Sequence, residues 1–363
     1  MQRAFRIGDK TVADGSASYV IAEVGHNHQG ELEKCKAIFK AAAECGADAV
    51  KIQKRDNRTL FTREMYDSPY HSENAYGETY GAHREVLEFD RAQYLELADH
   101  ARSLGLLFFS TAFDEASADF LAEIDMPAYK IASGDLNNTP LLRKVAAFGK
   151  PMIVSTGGAS MTEVRRAYDT IMPINQNLCI MQCTSGYPAP YEELNLRVIE
   201  TFRAEFPDIV VGFSSHDSGI AMPLVAYMLG ARIFEKHFTL NRTWKGSDQA
   251  FSLEPSGLRR VVRDLERTRL ALGDGVKRPY ASEIGPLNKM VKRVVAVRDL
   301  SAGSVLTADD LAFRIPASSK IAQDALQPCD VDKLVGQALI RDVAAEEVVT
   351  LAAVGVKTVA RVA

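Results

Sequence analysis

Lysines, histidines, serines and carboxylates recur in this chain directly after, or at the end of, short apolar runs. Glu23 stands in SYVIAEVG, just ahead of His26, Asn27 and His28. Lys51 and Gln53 stand in DAVKIQ, and Lys130, Ser133 and Asp135 close AYKIASGD. Ser155 and Thr156 end PMIVST, and Gln182, Thr184, Ser185 and Tyr187 end or follow NLCIMQCT. Ser214, Ser215, His216 and Asp217 close IVVGFSSHD, and Glu235 and His237 end ARIFEKH. The ammonium groups of Lys51 and Lys130, with the hydroxyls of Ser133, Ser155 and Ser214, make a donor set for a phosphate, because ammonium supplies charge and hydroxyls supply direction. Both lysines merely reaching out from strand ends is the blander account, but a buried lysine is rare unless paired.

His216 and His237 end consecutive runs, so their imidazoles converge if those runs are neighbours. Two imidazoles with a carboxylate suit a divalent transition metal that keeps positions open for water and substrate. His26 and His28 compete for this role, but they fall in a loop that starts a helix, where capping or substrate contact is the plainer reading. Glu23 ends an apolar run; burial there raises a carboxyl pKa and suits general acid/base work. Pairing with a strand-end lysine is its structural alternative. ASGD reads equally as a turn with Asp135 as a cap. TWKGSDQAFSLEP (243–255) carries the only Trp, with Lys245 and Asp248 in a glycine-containing loop. It reads as a substrate-binding loop or as ordinary polar turn chemistry.

These residues need a frame that brings eight strand ends to one face. The runs named above, together with LLFFST, make eight candidate strands between residue 18 and about 271. Most are separated by stretches of helical period, such as 31–46, 91–105 and 161–172. Strands alternating with helices imply a parallel sheet with crossover helices, and eight such units fit a (β/α)8 barrel, whose active residues lie at the C-terminal strand ends. Residues 54–89 break the rhythm. A connection of this length is usually functional, and HSENAYGETYGAHRE reads as a loop covering the site. The expected organisation is a barrel over 1–272, a Gly- and Pro-containing linker over 273–290 and a small domain of short β-prone runs over 291–363.

The composition is that of a soluble globular protein, 47% apolar and 25% charged over 363 residues. A net charge of −4 offers no basic field for a nucleic-acid backbone. The five cysteines are scattered without zinc-like or CxxC spacing, as expected of reduced thiols. There is no signal-peptide core and no run long enough to span a bilayer. A cytoplasmic enzyme without membrane or nucleic-acid partners is expected.

In these same residues the sequence resembles the sialic acid synthase family. The matching blocks are IAEVGHNHQG, GADAVKIQK, AYKIASGDLNNTPLL, GKPMIVSTG, CTSGYP, GFSSHDSG, EKHFTL and WKGSDQAFSLEP, in the family's order. VVAVRDLSAGSVLTADDLAFRIP resembles the family's C-terminal antifreeze-like (SAF) domain, a β-clip fold. The resemblance implies condensation of phosphoenolpyruvate with open-chain N-acetylmannosamine, or a related hexosamine, giving sialic acid and phosphate. It implies a divalent ion, Mn2+ or Mg2+, held by His216 and His237, with Glu23 as acid/base. It further implies that Lys51, Gln53, Lys130, Ser133, Ser155, Ser185, Tyr187 and Ser214 contact phosphoenolpyruvate, that Asn74 and Asp248 contact the sugar, and that Asp135 is a catalytic carboxylate in contact with the sugar. Asp135 stands where many bacterial members carry Glu, and Ser185 where some carry Asn. Arg314 resembles an arginine that members reach into the partner subunit, which implies a domain-swapped homodimer.

The KIQK, NAYGETYGAHREVLEF, ASGDLNN and WKGSDQ segments resemble the animal-type synthases, which take the 6-phosphate and make the 9-phosphate product. Legionaminate, pseudaminate and Kdn synthases share the same blocks. Other phosphoenolpyruvate–aldehyde condensations, such as Kdo-phosphate or aldoheptonate synthesis, fit the barrel but not the tail. A non-catalytic sugar-binding barrel is disfavoured by the joint presence of Glu23, Lys51, Lys130, His216 and His237. An ice-binding role for the tail is disfavoured by its charged turns.

Overall fold

The computed structural model describes residues 3–317 and 325–356. It divides into two compact units, Met1–Gly273 and Asp274–Ala363.

The first unit opens with an antiparallel hairpin, β1 (Ala4–Ile7) and β2 (Lys10–Ala13). Eight parallel strands follow: β3 (Tyr19–Gly25), β4 (Ala49–Lys54), β5 (Leu107–Ala112), β6 (Tyr129–Ile131), β7 (Met152–Ser155), β8 (Leu178–Cys183), β9 (Val210–Ser215) and β10 (Ile233–His237). They close into a barrel in sequence order, with β10 returning to β3. β3, β8, β9 and β10 are buried along their whole length, because helices cover the outside while side chains fill the inside. This is why each reads as an unbroken apolar run rather than an alternation. The covering helices are cut by local chemistry. Asp90 and Gln93 form a reciprocal cap on Arg91–Ser103, Ser160 and Glu163 do the same on Met161–Ile171, and the Asp114 carboxylate accepts from the Ser117 amide to start Glu115–Glu123.

The hairpin closes the N-terminal end of the barrel, opposite the chemistry-bearing strand ends. Phe5, Ile7 and Val12 join the main core, and the Arg6 amide donates to Asn177 at 2.9 Å, one residue before β8. Four-residue strands are too short to announce themselves by period, and the sequence reading does not include them. The 54–89 connection also holds more than an irregular loop. It folds into three short helices, Asn57–Leu60, Arg63–Asp67 and Tyr80–Val86, each capped by an Asp or Thr side chain and too brief to express helical periodicity.

The second unit begins with helix Ala281–Asn288, inside the stretch read as linker. It continues with β11 (Arg293–Ala296) paired antiparallel to β12 (Leu311–Arg314). Val294, Leu306, Leu311, Leu334, Leu339 and Val349 form a separate core.

Candidate active site

The barrel register sets the site's floor. His237, Glu23 and Lys51 sit side by side on β10, β3 and β4, and Thr111 of β5 pairs with Lys130 of β6. The Lys51 ammonium lies 2.7 Å from Glu23 Oε2 and donates to Thr111 Oγ1 at 2.7 Å. Lys130 donates to Ser155 Oγ at 2.6 Å. Glu235, one layer deeper on β10, lies 3.8 Å from Lys51 and 3.9 Å from Lys130, and accepts from Ser214 Oγ at 3.2 Å. Two ammonium and two carboxyl groups are therefore buried together, which is tolerable only because they compensate one another.

The two glutamates are pushed apart. Burial, with the neighbouring Glu235 charge, holds the Glu23 carboxyl above its usual range despite Lys51. Burial also opposes the charge on Glu235, but Lys130 and Lys51 outweigh it and hold this carboxyl at about 2. Of the two carboxyls, Glu235 is held as the anion and Glu23 is the one whose protonation burial favours. Gln53 donates to Glu23 Oε1 at 2.9 Å and fixes its orientation.

On the adjoining wall the His216 and His237 ring centroids are 5.3 Å apart. His216 Nδ1–H donates to the Thr184 carbonyl at 2.8 Å, so Nε2 carries the lone pair whenever the ring is neutral. Against burial, Cys183, the Thr184 carbonyl and Glu235 raise the pKa of this ring. Burial drops the His237 pKa to about 3, so this ring is neutral. Its Nδ1 is buried without a hydrogen-bond partner, 3.7 Å from Asp248 Oδ2. Two neutral-capable imidazoles with an orphaned nitrogen fit a divalent ion. Among the described residues no three or more His, Cys, Asp or Glu side chains gather to hold one unaided, so water and substrate would complete its shell.

Two glycines allow the close approaches. A Cβ on Gly157 would overlap the Ser185 hydroxyl and come within 2.9 Å of the Ser133 hydroxyl. Gly157 N–H also donates to Ser133 Oγ at 2.9 Å. Gly25 has φ of +52°, and a Cβ there would press on Asp248, Gln53 and Glu23.

All these groups open on one cavity of about 450 Å3, within the usual range for a small-molecule site. Of the site residues that the family resemblance implies, Glu23, Lys51, Gln53, Lys130, Ser133, Ser155, Ser185, Tyr187, Ser214, His216, His237 and Asp248 line it. Three do not. Asn74 Oδ1 accepts from the Gly246 amide at 2.9 Å and ties the 54–89 segment to the 241–254 loop. Asp135 lies in a 3-10 turn beyond Ser133, where burial raises its pKa to about 6. Arg314 belongs to the second unit and is ion-paired with Glu346.

Sequence reasoning passed over Arg55, Arg84, Thr111 and Cys183 in the lining. Arg55 had a signal, since 51, 53 and 55 share one face at strand period, and Thr111 ends its run as its counterparts do. Arg84 sits on a seven-residue helix that left no pattern. His26 also lines the cavity, but its ring nitrogens face Arg55 and Arg84. His28 is structural: Nδ1 accepts from Gly30 N–H at 3.0 Å and the ring stacks on Phe89.

Residues 38–277 match the model of the NeuB family and residues 291–354 that of the SAF domain. The chain is 42% identical over 297 residues to the N-acetylneuraminate-9-phosphate synthase of Mus musculus, covering 82% of this chain and 83% of that one. It is 34% identical over 345 residues to the N,N'-diacetyllegionaminic acid synthase of Legionella pneumophila, covering 93% and 95%. Among solved structures, the N-acetylneuraminic acid (sialic acid) synthetase of Leptospira borgpetersenii, in complex with citrate, matches with a TM-score of 0.68 at 31% identity, over 80% of this chain and 98% of that one.

Proposed function

The chain belongs to the NeuB family of sialic acid synthases, enzymes that condense phosphoenolpyruvate with an amino sugar, and from that premise we propose that it joins phosphoenolpyruvate to an open-chain N-acetylated hexosamine of the N-acetylmannosamine type. The products are a nine-carbon sialic acid and inorganic phosphate. One observation carries this reading: the buried Lys51–Glu23 and Lys130–Glu235 groups face the His216–His237 pair across a single cavity.

Lys51 and Lys130, with the hydroxyls of Ser133, Ser155, Ser185 and Ser214, hold the phosphate and carboxylate of phosphoenolpyruvate at the cavity floor. Glu235 lies between both lysines and opposes the burial that lowers the Lys130 pKa. Tyr187 packs 4.2 Å from the His216 ring, tilted by 42°, and extends the imidazole wall. Gln53 and Asp248 lie above the floor, where the acceptor's hydroxyls arrive. The methylene carbon of phosphoenolpyruvate forms the new bond to the aldehyde carbon, and the aldehyde oxygen takes a proton. Water adds to the enol carbon, the carbon–oxygen bond to phosphate breaks, and a keto group remains. Glu23, whose carboxyl is poised to hold or release a proton, delivers or removes it at these oxygens.

A divalent ion, manganese or magnesium, held by His216 and His237 would polarise the acceptor's carbonyl oxygen. In a homodimer, Arg314 of the second unit would serve the N-acetyl group in the other subunit's site. The five free thiols suit a reducing, cytoplasmic setting.

The direct test follows phosphate release from phosphoenolpyruvate with manganese present, with and without N-acetylmannosamine or its 6-phosphate. Release that depends on the sugar supports the reading. Release that ignores the sugar, or none with any N-acetylated hexosamine, overturns it.

A further inference from the structure

We infer that Arg55 and Arg84, with His26 held between them, form a second anion subsite at the mouth of the cavity, and that it takes a phosphate monoester on the acceptor sugar. This rests on the condensation reading and names the acceptor class within it, a phosphorylated amino sugar.

Arg55 follows β4 on the same face as Lys51 and Gln53, and both arginines line the same cavity. Four residues of strand separate Lys51 from Arg55, about 13 Å along the strand, so the floor that holds phosphoenolpyruvate lies well below. Arg55 is buried, with only 8% of its surface exposed. It lies 3.6 Å from the centre of the Phe113 ring, which fixes its plane. Arg84 comes from helix Tyr80–Val86 in the covering segment.

Their side-chain hydrogen-bond partners among the described residues are all neutral. Arg55 donates to Gln53 Oε1 at 2.8 Å and faces His26 Nε2 at 2.9 Å. Arg84 donates to the Tyr80 hydroxyl at 2.8 Å and faces His26 Nδ1 at 3.3 Å. Glu88, whose carboxylate accepts from the Arg55 backbone amide, is paired with Lys54 at 2.9 Å instead. A neutral imidazole has one lone pair, so it can accept from only one of two guanidiniums. The other is left with a donor against a ring N–H. Burial and the two arginine charges keep His26 neutral. Burial, reinforced by Arg84, brings even the Arg55 pKa down to about 10. The floor lysines have carboxyl groups at 2.7 to 3.9 Å, whereas neither guanidinium has an ion-pair partner among the described residues; Glu88 and Asp248 act on Arg55 only from farther off. A dianionic phosphate satisfies both guanidiniums with short, charge-assisted, two-pronged hydrogen bonds. A neutral hydroxymethyl group leaves them as they are.

The test uses the full-length enzyme and compares wild type, Arg55→Gln, Arg84→Gln and Arg84→Lys. Kinetics use N-acetylmannosamine, its 6-phosphate and phosphoenolpyruvate as separately varied substrates. Calorimetric titration with N-acetylmannosamine 6-phosphate alone reads the subsite without turnover. Wild type is expected to favour the phosphorylated sugar. Each Gln variant should raise its KM, and weaken its binding, by about tenfold to a hundredfold. The KM values for phosphoenolpyruvate and for the free sugar should stay within a few-fold, and Arg84→Lys should recover part of the loss. Because Arg84 is only half-buried, its variants keep the test open if Arg55→Gln fails to fold. A rise in the phosphoenolpyruvate KM instead, or binding of the 6-phosphate unchanged in the variants, overturns the subsite. If no acceptor supports turnover in wild type, the condensation reading falls. The calorimetric comparison then still decides whether the arginines bind a sugar phosphate.

Discussion

Glu23 and Glu235 lie within reach of the same ammonium, at 2.7 Å and 3.8 Å from Lys51, yet they perform different work. Glu235 is the counter-ion for two buried lysines. Replacing it with Gln strands the Lys130 ammonium and leaves Lys51 with Glu23 alone, and Glu235→Gln should lose about 3 kcal/mol of stability in denaturant unfolding. An unchanged unfolding midpoint would mean that the lysines are not charged there. Glu23 already sits with its carboxyl pKa raised by burial, so Glu23→Gln resembles one of its own protonation states. It should stay folded, keep its KM for phosphoenolpyruvate and lose about 100-fold or more in kcat. A kcat near wild type would remove Glu23 from the proton transfer. Asp135 offers a test of pH dependence away from the cavity. Its pKa rises from 3.8 to about 6 on folding, so the folded chain holds a proton that the unfolded chain releases. Stability is then fully present below about pH 4 and is lost as pH rises through 6. Asp135→Asn should therefore gain relative to wild type between pH 4 and 7.5, on the order of 1 kcal/mol after allowing for partial exposure. Melting curves at the two pH values check this, and equal differences at both would contradict it.

At the scale of elements, the barrel was legible because its strands are buried on both faces and its helices are long enough to show their period. β8 and Met161–Ile171 are examples. What escaped was short or borrowed its order from neighbours. The β1–β2 hairpin has four residues a side, and its burial depends on the barrel end that it covers. Helix Tyr80–Val86 is set by the Thr79 cap rather than by an apolar stripe, so Arg84 could not be placed. Lys51, Gln53 and Glu23 were found because strand ends of a barrel converge by construction. Asn74 holds the Gly246 amide, a loop contact between residues far apart in sequence that follows no period. The loop after β7 carries its own prediction. Gly157 lets the Ser133 and Ser185 hydroxyls meet, so Gly157→Ala should displace one of them and raise the KM for phosphoenolpyruvate about tenfold or more, with a smaller change for the sugar. Steady-state kinetics with each substrate varied in turn would show it. An unchanged phosphoenolpyruvate KM would remove these hydroxyls from the cradle.

At the scale of the whole molecule, two units with separate cores are carried on one chain. The charge-bearing floor, the imidazole wall and the arginine mouth all belong to the first unit. Arg314 belongs to the second, at the end of β12. If Arg314 serves the other subunit's site, an inactive Arg314→Ala chain mixed with an inactive Glu23→Ala chain should recover part of the wild-type rate. Verified mixed dimers without activity would place each site within one subunit. The claim beneath all of this is that the cavity makes a carbon–carbon bond rather than merely cleaving a phosphate ester. Phosphoenolpyruvate labelled with carbon-13 at its methylene carbon, followed by NMR with the acceptor present, tests that most directly. The account predicts that the label moves into the methylene group of a nine-carbon keto acid as phosphate appears. Label recovered in the methyl group of pyruvate would contradict it.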